Sequence, residues 1–65
     1  MELVITTNPT PECYLISVTG EVDISNASKL RDAIDFALEQ PTEEVKLDFA
    51  EVSYIDSTGI GVLVG

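Results

Sequence analysis

Hydrophobic residues along the chain change period twice, and the changes mark its elements. Leu3, Val4 and Ile5 with Thr6 and Thr7 make a short β-prone run. Asn8-Pro9-Thr10-Pro11 stops it, because two prolines remove donors and fix φ. From Cys13 to Thr19 the residues alternate: Tyr14, Ile16 and Val18 share one face, while Cys13, Leu15, Ser17 and Thr19 share the other. Two such runs around a short turn predict an antiparallel hairpin. Gly20-Glu21-Val22-Asp23 is expected to leave the second strand, and Ile24-Ser25-Asn26 leads into a helix with Ser25 or Asn26 as its N-cap. Ala27, Leu30, Ile34 and Leu38 then recur at helical spacing, and Ala33 and Ala37 widen the stripe. Lys29, Arg31, Asp32, Asp35 and Glu39 fall on the outer face, and Pro41 sets the end near Glu39.

The second change comes at Val45, Leu47 and Phe49, which alternate with Lys46 and Asp48 as a half-buried strand does. One helix between the strand ending at Thr19 and the strand starting near Val45 fits a right-handed βαβ crossover with those strands parallel. Glu51-Val52-Ser53-Tyr54-Ile55 reads as a connection to Asp56-Ser57-Thr58-Gly59. Val62, Leu63 and Val64 look like the first core-facing turns of a helix barely begun, in which Gly61 and Gly65 permit close packing or simply weaken the helix. A parallel sheet is expected to carry helices on both faces, and one helix with a stub does not supply them. Residues 1–65 therefore read as the amino-terminal half of one α/β domain: an open sheet with an initial β-hairpin and a βαβ unit, truncated in the second helix. Such a fragment is expected to fold poorly alone or to self-associate through its strand edges.

Composition narrows the chemistry. The chain has 65 residues, 12 of them acidic and 3 basic, for a formal charge of −9. That balance excludes a nucleic-acid binder, which needs a basic footprint, and disfavours anionic lipid. It suits a partner with a basic face, or serves solubility alone. The lone Cys13 forms no internal disulfide, and without His no zinc site is credible. Met1-Glu2-Leu3 lacks the basic start of a signal peptide, and no apolar run is long enough to span a bilayer. The chain reads as soluble and cytoplasmic, with no cofactor implied.

Everything chemically distinctive lies between Ile55 and Gly61. Asp56 or Ser57 is expected at the start of a second helix, beyond the carboxyl end of a parallel strand, where functional groups gather in open α/β sheets. A hydroxyl there meets unpaired backbone N–H groups and the positive end of a helix dipole, which favour an attached phosphate. Either residue could equally be there only as an N-cap. Competing chemistries fail on spacing. Aspartic proteases place Gly two positions after a paired Asp, whereas two residues separate Asp56 from Gly59. There is no Gly-x-Ser-x-Gly elbow, no His base and no phosphate-loop Lys, which leaves little for a small hydrolase or nucleotide-binding protein. Asp23, Asp48 and Asp56 could meet at one edge around Mg²⁺, although acidic residues near strand ends are common.

Gly20-Glu21-Val22-Asp23, a helix containing Leu30-Arg31, then Val45-Lys46-Leu47-Asp48-Phe49 and Tyr54-Ile55-Asp56-Ser57-Thr58-Gly59-Ile60-Gly61-Val62-Leu63 together resemble the STAS family of sulfate transporters and anti-sigma factor antagonists. The resemblance covers Leu3 to Gly65 and is closer to the small bacterial antagonists, because a phosphorylatable Ser follows the Asp. It implies a partner switch without enzymatic activity. Such an antagonist binds an anti-sigma factor that is also a serine kinase, which releases the sigma factor. Phosphorylation then ends binding, and a serine phosphatase reverses it. By position, the resemblance makes Ser57 the phosphoacceptor and lets Asp56 shape the site. Asp23 would help engage the kinase, Thr58 is the lesser acceptor, and Gly59 and Gly61 would keep the helix start open to the partner. The same resemblance admits an accessory or scaffold STAS domain of a stress-signalling or transporter complex. A truncated product without function is the third alternative.

Overall fold

The computed structural model describes residues 2–64. Strand β1 (Val4–Pro9) pairs antiparallel with β2 (Cys13–Val22), and β2 pairs parallel with β3 (Glu44–Ile55), giving one sheet of order β1-β2-β3. Helix α1 (Ala27–Leu38) connects β2 to β3, and α2 (Ser57–Val64) follows β3. The expected hairpin and parallel pair are both present. Pro9 closes an edge strand, where its missing N–H costs no ladder bond. The Thr10 hydroxyl holds the turn, accepting from the Cys13 N–H at 3.0 Å and donating to the Cys13 carbonyl at 2.9 Å.

Strands β2 and β3 both run further than their sequence pattern suggests. β2 continues through Gly20 to Val22 rather than leaving at Thr19. Gly20 adopts φ +102, and a Cβ there would overlap the carbonyl of Glu2, so no other residue fits this buried position without strain. β3 runs on to Ile55, and the segment read as a connection is strand. The reason is two register shifts, between Ser17/Thr19 and between Gly20/Glu21. At each, β3 spends one residue more than β2, so its core-packed positions step from Val45 and Phe49 to Val52 and Ile55, while Leu47, on the same face, stays exposed. Polar side chains close both irregularities. Asp48 Oδ1 accepts from the Ala50 N–H at 3.0 Å, and Ser53 Oγ donates to the Gly20 carbonyl at 3.3 Å.

The core lies on one face of the sheet. Tyr14, Ile16, Val18 and Val22 meet Ala27, Leu30 and Ala37 of α1, and Ile5, Val45, Phe49, Val52, Ile55 and Val62 pack around them. Burying a side chain such as Ile16 or Leu30 fully stabilises by about 1.5–3 kcal/mol. The opposite face carries Thr6, Ser17, Thr19, Lys46, Asp48 and Glu51 together with Val4, Cys13 and Leu15. The described helices pack on the core face alone. The stripe on α1 is also narrower than its spacing suggests. Leu38 is 65% exposed, since it lies about 100° round the helix from Ala37. Instead it lines a surface groove with Ile34, Leu47 and Val62. Of the two glycines proposed for close packing, Gly65 lies outside the described residues. Gly61 faces open space.

Candidate functional site

The carboxyl ends of β2 and β3 lie side by side, since Val22 and Ile55 are register partners. The next residue of each strand is an aspartate, Asp23 and Asp56, so the fold brings the two predicted site carboxylates to one sheet edge. The Asp56 N–H donates to the Val22 carbonyl at 3.2 Å, which carries the parallel pairing one residue beyond the strands.

Asp56 is the N-cap of α2. Its Oδ1 accepts from the Gly59 N–H at 3.1 Å, and its carbonyl accepts the first helical bond, from the Ile60 N–H at 3.0 Å. Of the two residues open to that role in the sequence, Asp56 takes it, and Ser57 becomes the first residue of the helix. Gly59 and Val62 turn to the core. Ser57 lies roughly on the opposite side of the helix and is exposed. Among the described residues no hydrogen bond within the chain holds its hydroxyl. Thr58 is exposed as well.

The two glycines differ. Gly59 is buried, and a Cβ there would stand 2.7 Å from Ile55 Cγ1 and 2.8 Å from Val22 Cγ1. Its missing side chain lets α2 seat on β2 and β3, a different reason from the open approach that the motif suggested. Gly61 is exposed, and a Cβ added there would meet nothing within 4 Å.

Asp23 organises its own turn. Its Oδ1 accepts from the Ser25 N–H at 2.9 Å and from the Ser25 hydroxyl, while its N–H donates to Asn26 Oδ1 at 2.9 Å. The two bonds from Ser25, its hydroxyl first and then its N–H, hold the Asp23 carboxyl below the usual carboxylate range. Asn26 occupies the N-cap of α1 but makes no side-chain cap bond. It ties the turn back to β2 instead, donating from Nδ2 to the Glu21 carbonyl at 2.9 Å. Ser25 serves Asp23 rather than the helix. Asp48 sits within β3 at the first register shift, away from the ends of the strands, and the described residues hold no group of three metal-ligating side chains. The Mg²⁺ cluster is therefore not assembled.

Sequence reasoning passed over Ile24. It stands between Asp23 and Ser25 with 81% of its surface in water, and an apolar residue next to a helix start reads as core. The only signal for it is its place inside a polar turn, out of phase with the stripe of α1.

Residues 5–65 match the family model described as "Mlab, STAS domain". The chain is 42% identical over 50 residues to the anti-sigma-B factor antagonist of Listeria monocytogenes, covering 77% of this chain and 44% of that protein. It is 35% identical to the one from Staphylococcus epidermidis over 65 residues, covering 100% of this chain and 60% of that protein. Among solved structures, an anti-sigma factor antagonist from Mycobacterium paratuberculosis shares the fold with a TM-score of 0.88 at 22% identity, over 97% of this chain and 54% of that one. The anti-sigma factor antagonist SpoIIAA in its unphosphorylated form superposes with a TM-score of 0.73 at 25% identity, over 95% of this chain and 58% of that one. The chain thus spans less than two thirds of the length of each of these relatives. No described helix is long and apolar enough to cross a membrane.

Proposed function

The chain belongs to the STAS-domain family, and on that premise we propose that it acts as an anti-sigma factor antagonist switched by phosphorylation of Ser57. In this reading it is a non-enzymatic cytoplasmic module. It binds an anti-sigma factor that is a serine kinase, the sigma factor is released, the kinase transfers phosphate from ATP to Ser57, and a serine phosphatase removes it. The observation that carries the reading is the exposed Ser57 hydroxyl on the first turn of a helix capped by Asp56, at the edge that also holds Asp23. A neighbouring fold described in an unphosphorylated form supports it.

The switch follows from charge. A phosphate adds about −1.5 to −2 beside Asp56 in a protein already at −9. A partner surface fitted to a neutral hydroxyl then has no donors placed for the phosphate oxygens, and burying that charge and bulk without partners costs several kcal/mol. Asp23, Asp56, Thr58 and Gly61 complete the proposed contact surface, and Gly59 supports it from behind.

Mass spectrometry after incubation with each anti-sigma factor kinase of the source organism and ATP tests this. Phosphate on Ser57 with Thr58 unmodified is expected. Ser57→Ala should abolish labelling yet still bind, and Ser57→Asp should bind more weakly. Phosphate on Thr58 alone, or equal binding by modified and unmodified protein, overturns the reading.

A further inference from the structure

Ile24 is the one large apolar side chain that the described fold holds almost wholly in water at the edge carrying Ser57, Asp23 and Asp56. A scattered exposed isoleucine is ordinary. This one sits on a turn built with unusual thoroughness. The Asn26 and Ala27 N–H groups donate to the Asp23 carbonyl at 3.1 and 2.8 Å. Ser25 bonds the Asp23 carboxylate, and the Asn26 side chain bonds both the Asp23 N–H and the Glu21 carbonyl. The backbone that presents Ile24 is fixed before any partner arrives, which removes much of the ordering cost that binding otherwise carries.

Its surroundings define what covers it. Ile60, half-exposed, lies one turn beyond Ser57 on the same side of α2, so an apolar residue also follows the hydroxyl on its own helix. Around them stand Asp23 and Asp56, with Glu2 and Lys29 lining the same groove as Asp23, so the edge is acidic on balance in a chain of net charge −9. An apolar point within an acidic rim matches an apolar socket within a basic rim, the anatomy of an interface centre.

We infer that Ile24 is an apolar contact residue of the Ser57 interface, seated in an apolar socket of the anti-sigma factor that lysine or arginine side chains surround. The inference rests on the antagonist reading and names a specificity residue for it. It also sharpens the switch, because a phosphate on Ser57 must then lose water beside an apolar contact.

Calorimetric titration of the full natural protein against each purified anti-sigma factor kinase of the source organism is the test. Ile24→Ala should weaken binding to the kinase that labels Ser57 by about tenfold or more, and Ile24→Asp further. Phe36→Ala, an exposed apolar residue near the far end of α1, should bind unchanged. Melting curves of both Ile24 variants should match the unsubstituted protein. Unchanged binding by the Ile24 variants, or an equal loss at Phe36→Ala, overturns the inference and leaves the antagonist reading intact. A loss that tracks a loss of helix signal overturns it too, since Ile24 would then be a folding residue. If no kinase binds the unsubstituted protein, the antagonist reading falls and the socket falls with it.

Discussion

The Asp56 N–H donates to the Val22 carbonyl at 3.2 Å, so the start of α2 is joined to the end of β2 rather than only to the strand that precedes it. The consequence is positional. Asp56 is held at both ends, by this bond and by the bond its own carboxylate accepts from Gly59, and Ser57 inherits that fixed frame. The hydroxyl proposed as phosphoacceptor is thus offered by the scaffold and does not depend on a mobile loop.

Removing the cap should therefore cost stability. Asp56→Ala loses the bond to the Gly59 N–H and should lower unfolding free energy by about 1 kcal/mol, within a range of roughly 0.5–2. Asp56→Asn keeps an acceptor and should stay within a few tenths of the parent, as caps of these two types do. Urea unfolding of both variants checks this, and equal loss in the two would mean that the carboxylate charge matters more than the cap.

The hairpin, the extent of α1 and the parallel pairing of β2 with β3 were legible because each rests on an unbroken period or on proline. Pro41 and the Tyr14-Ile16-Val18 alternation are local signals that packing did not override. The second half of β3 was not legible, since one extra residue moves the inward position to Val52 and a second returns it to phase only at Ile55, so the alternation that Val45, Leu47 and Phe49 begin breaks off at Glu51 and Ser53. Gly20 misled for a related reason. It reads as a breaker, yet its positive φ is what carries β2 through a register shift. At the site, the Asp-Ser-Thr-Gly string placed the helix start correctly, because capping chemistry is local. What Asn26 and Ser25 bond to depends on the path of β2, and no single turn of sequence encodes that.

The Asp23 carboxyl offers a check on the turn that presents Ile24. Its folded-state pKa is depressed, so its contribution to stability is complete above the ordinary carboxylate value and is lost as pH falls through the acid range below it. Carboxyl-carbon NMR should show Asp23 titrating below an ordinary aspartate. Ser25→Ala removes the largest cause of that shift and should move the midpoint upward, while the Ser25 N–H preserves part of it. An unmoved midpoint would mean that the hydroxyl does not hold the carboxylate in solution.

The last prediction sets Gly59 against Gly61, on the same helix, with the same substitution. At Gly59 an alanine Cβ would stand 2.7 Å from Ile55 Cγ1 and 2.8 Å from Val22 Cγ1, closer than such atoms approach, so α2 must lift from the sheet or the two side chains must move. Overpacking of this kind costs about 1–3 kcal/mol. The gain from replacing glycine inside a helix is about 1 kcal/mol, which offsets only part of it. Gly59→Ala should therefore destabilise. At Gly61 nothing lies within 4 Å of the new Cβ, so only the propensity gain remains and Gly61→Ala should stabilise by up to about 1 kcal/mol. Chemical denaturation of the two variants measures both. The displaced helix in Gly59→Ala should also carry Ser57 with it, so labelling in the proposed kinase assay should slow, whereas Gly61→Ala changes that labelling only if the partner approaches at this point. Stabilisation by both alanines would show that α2 does not seat on Val22 and Ile55 through Gly59.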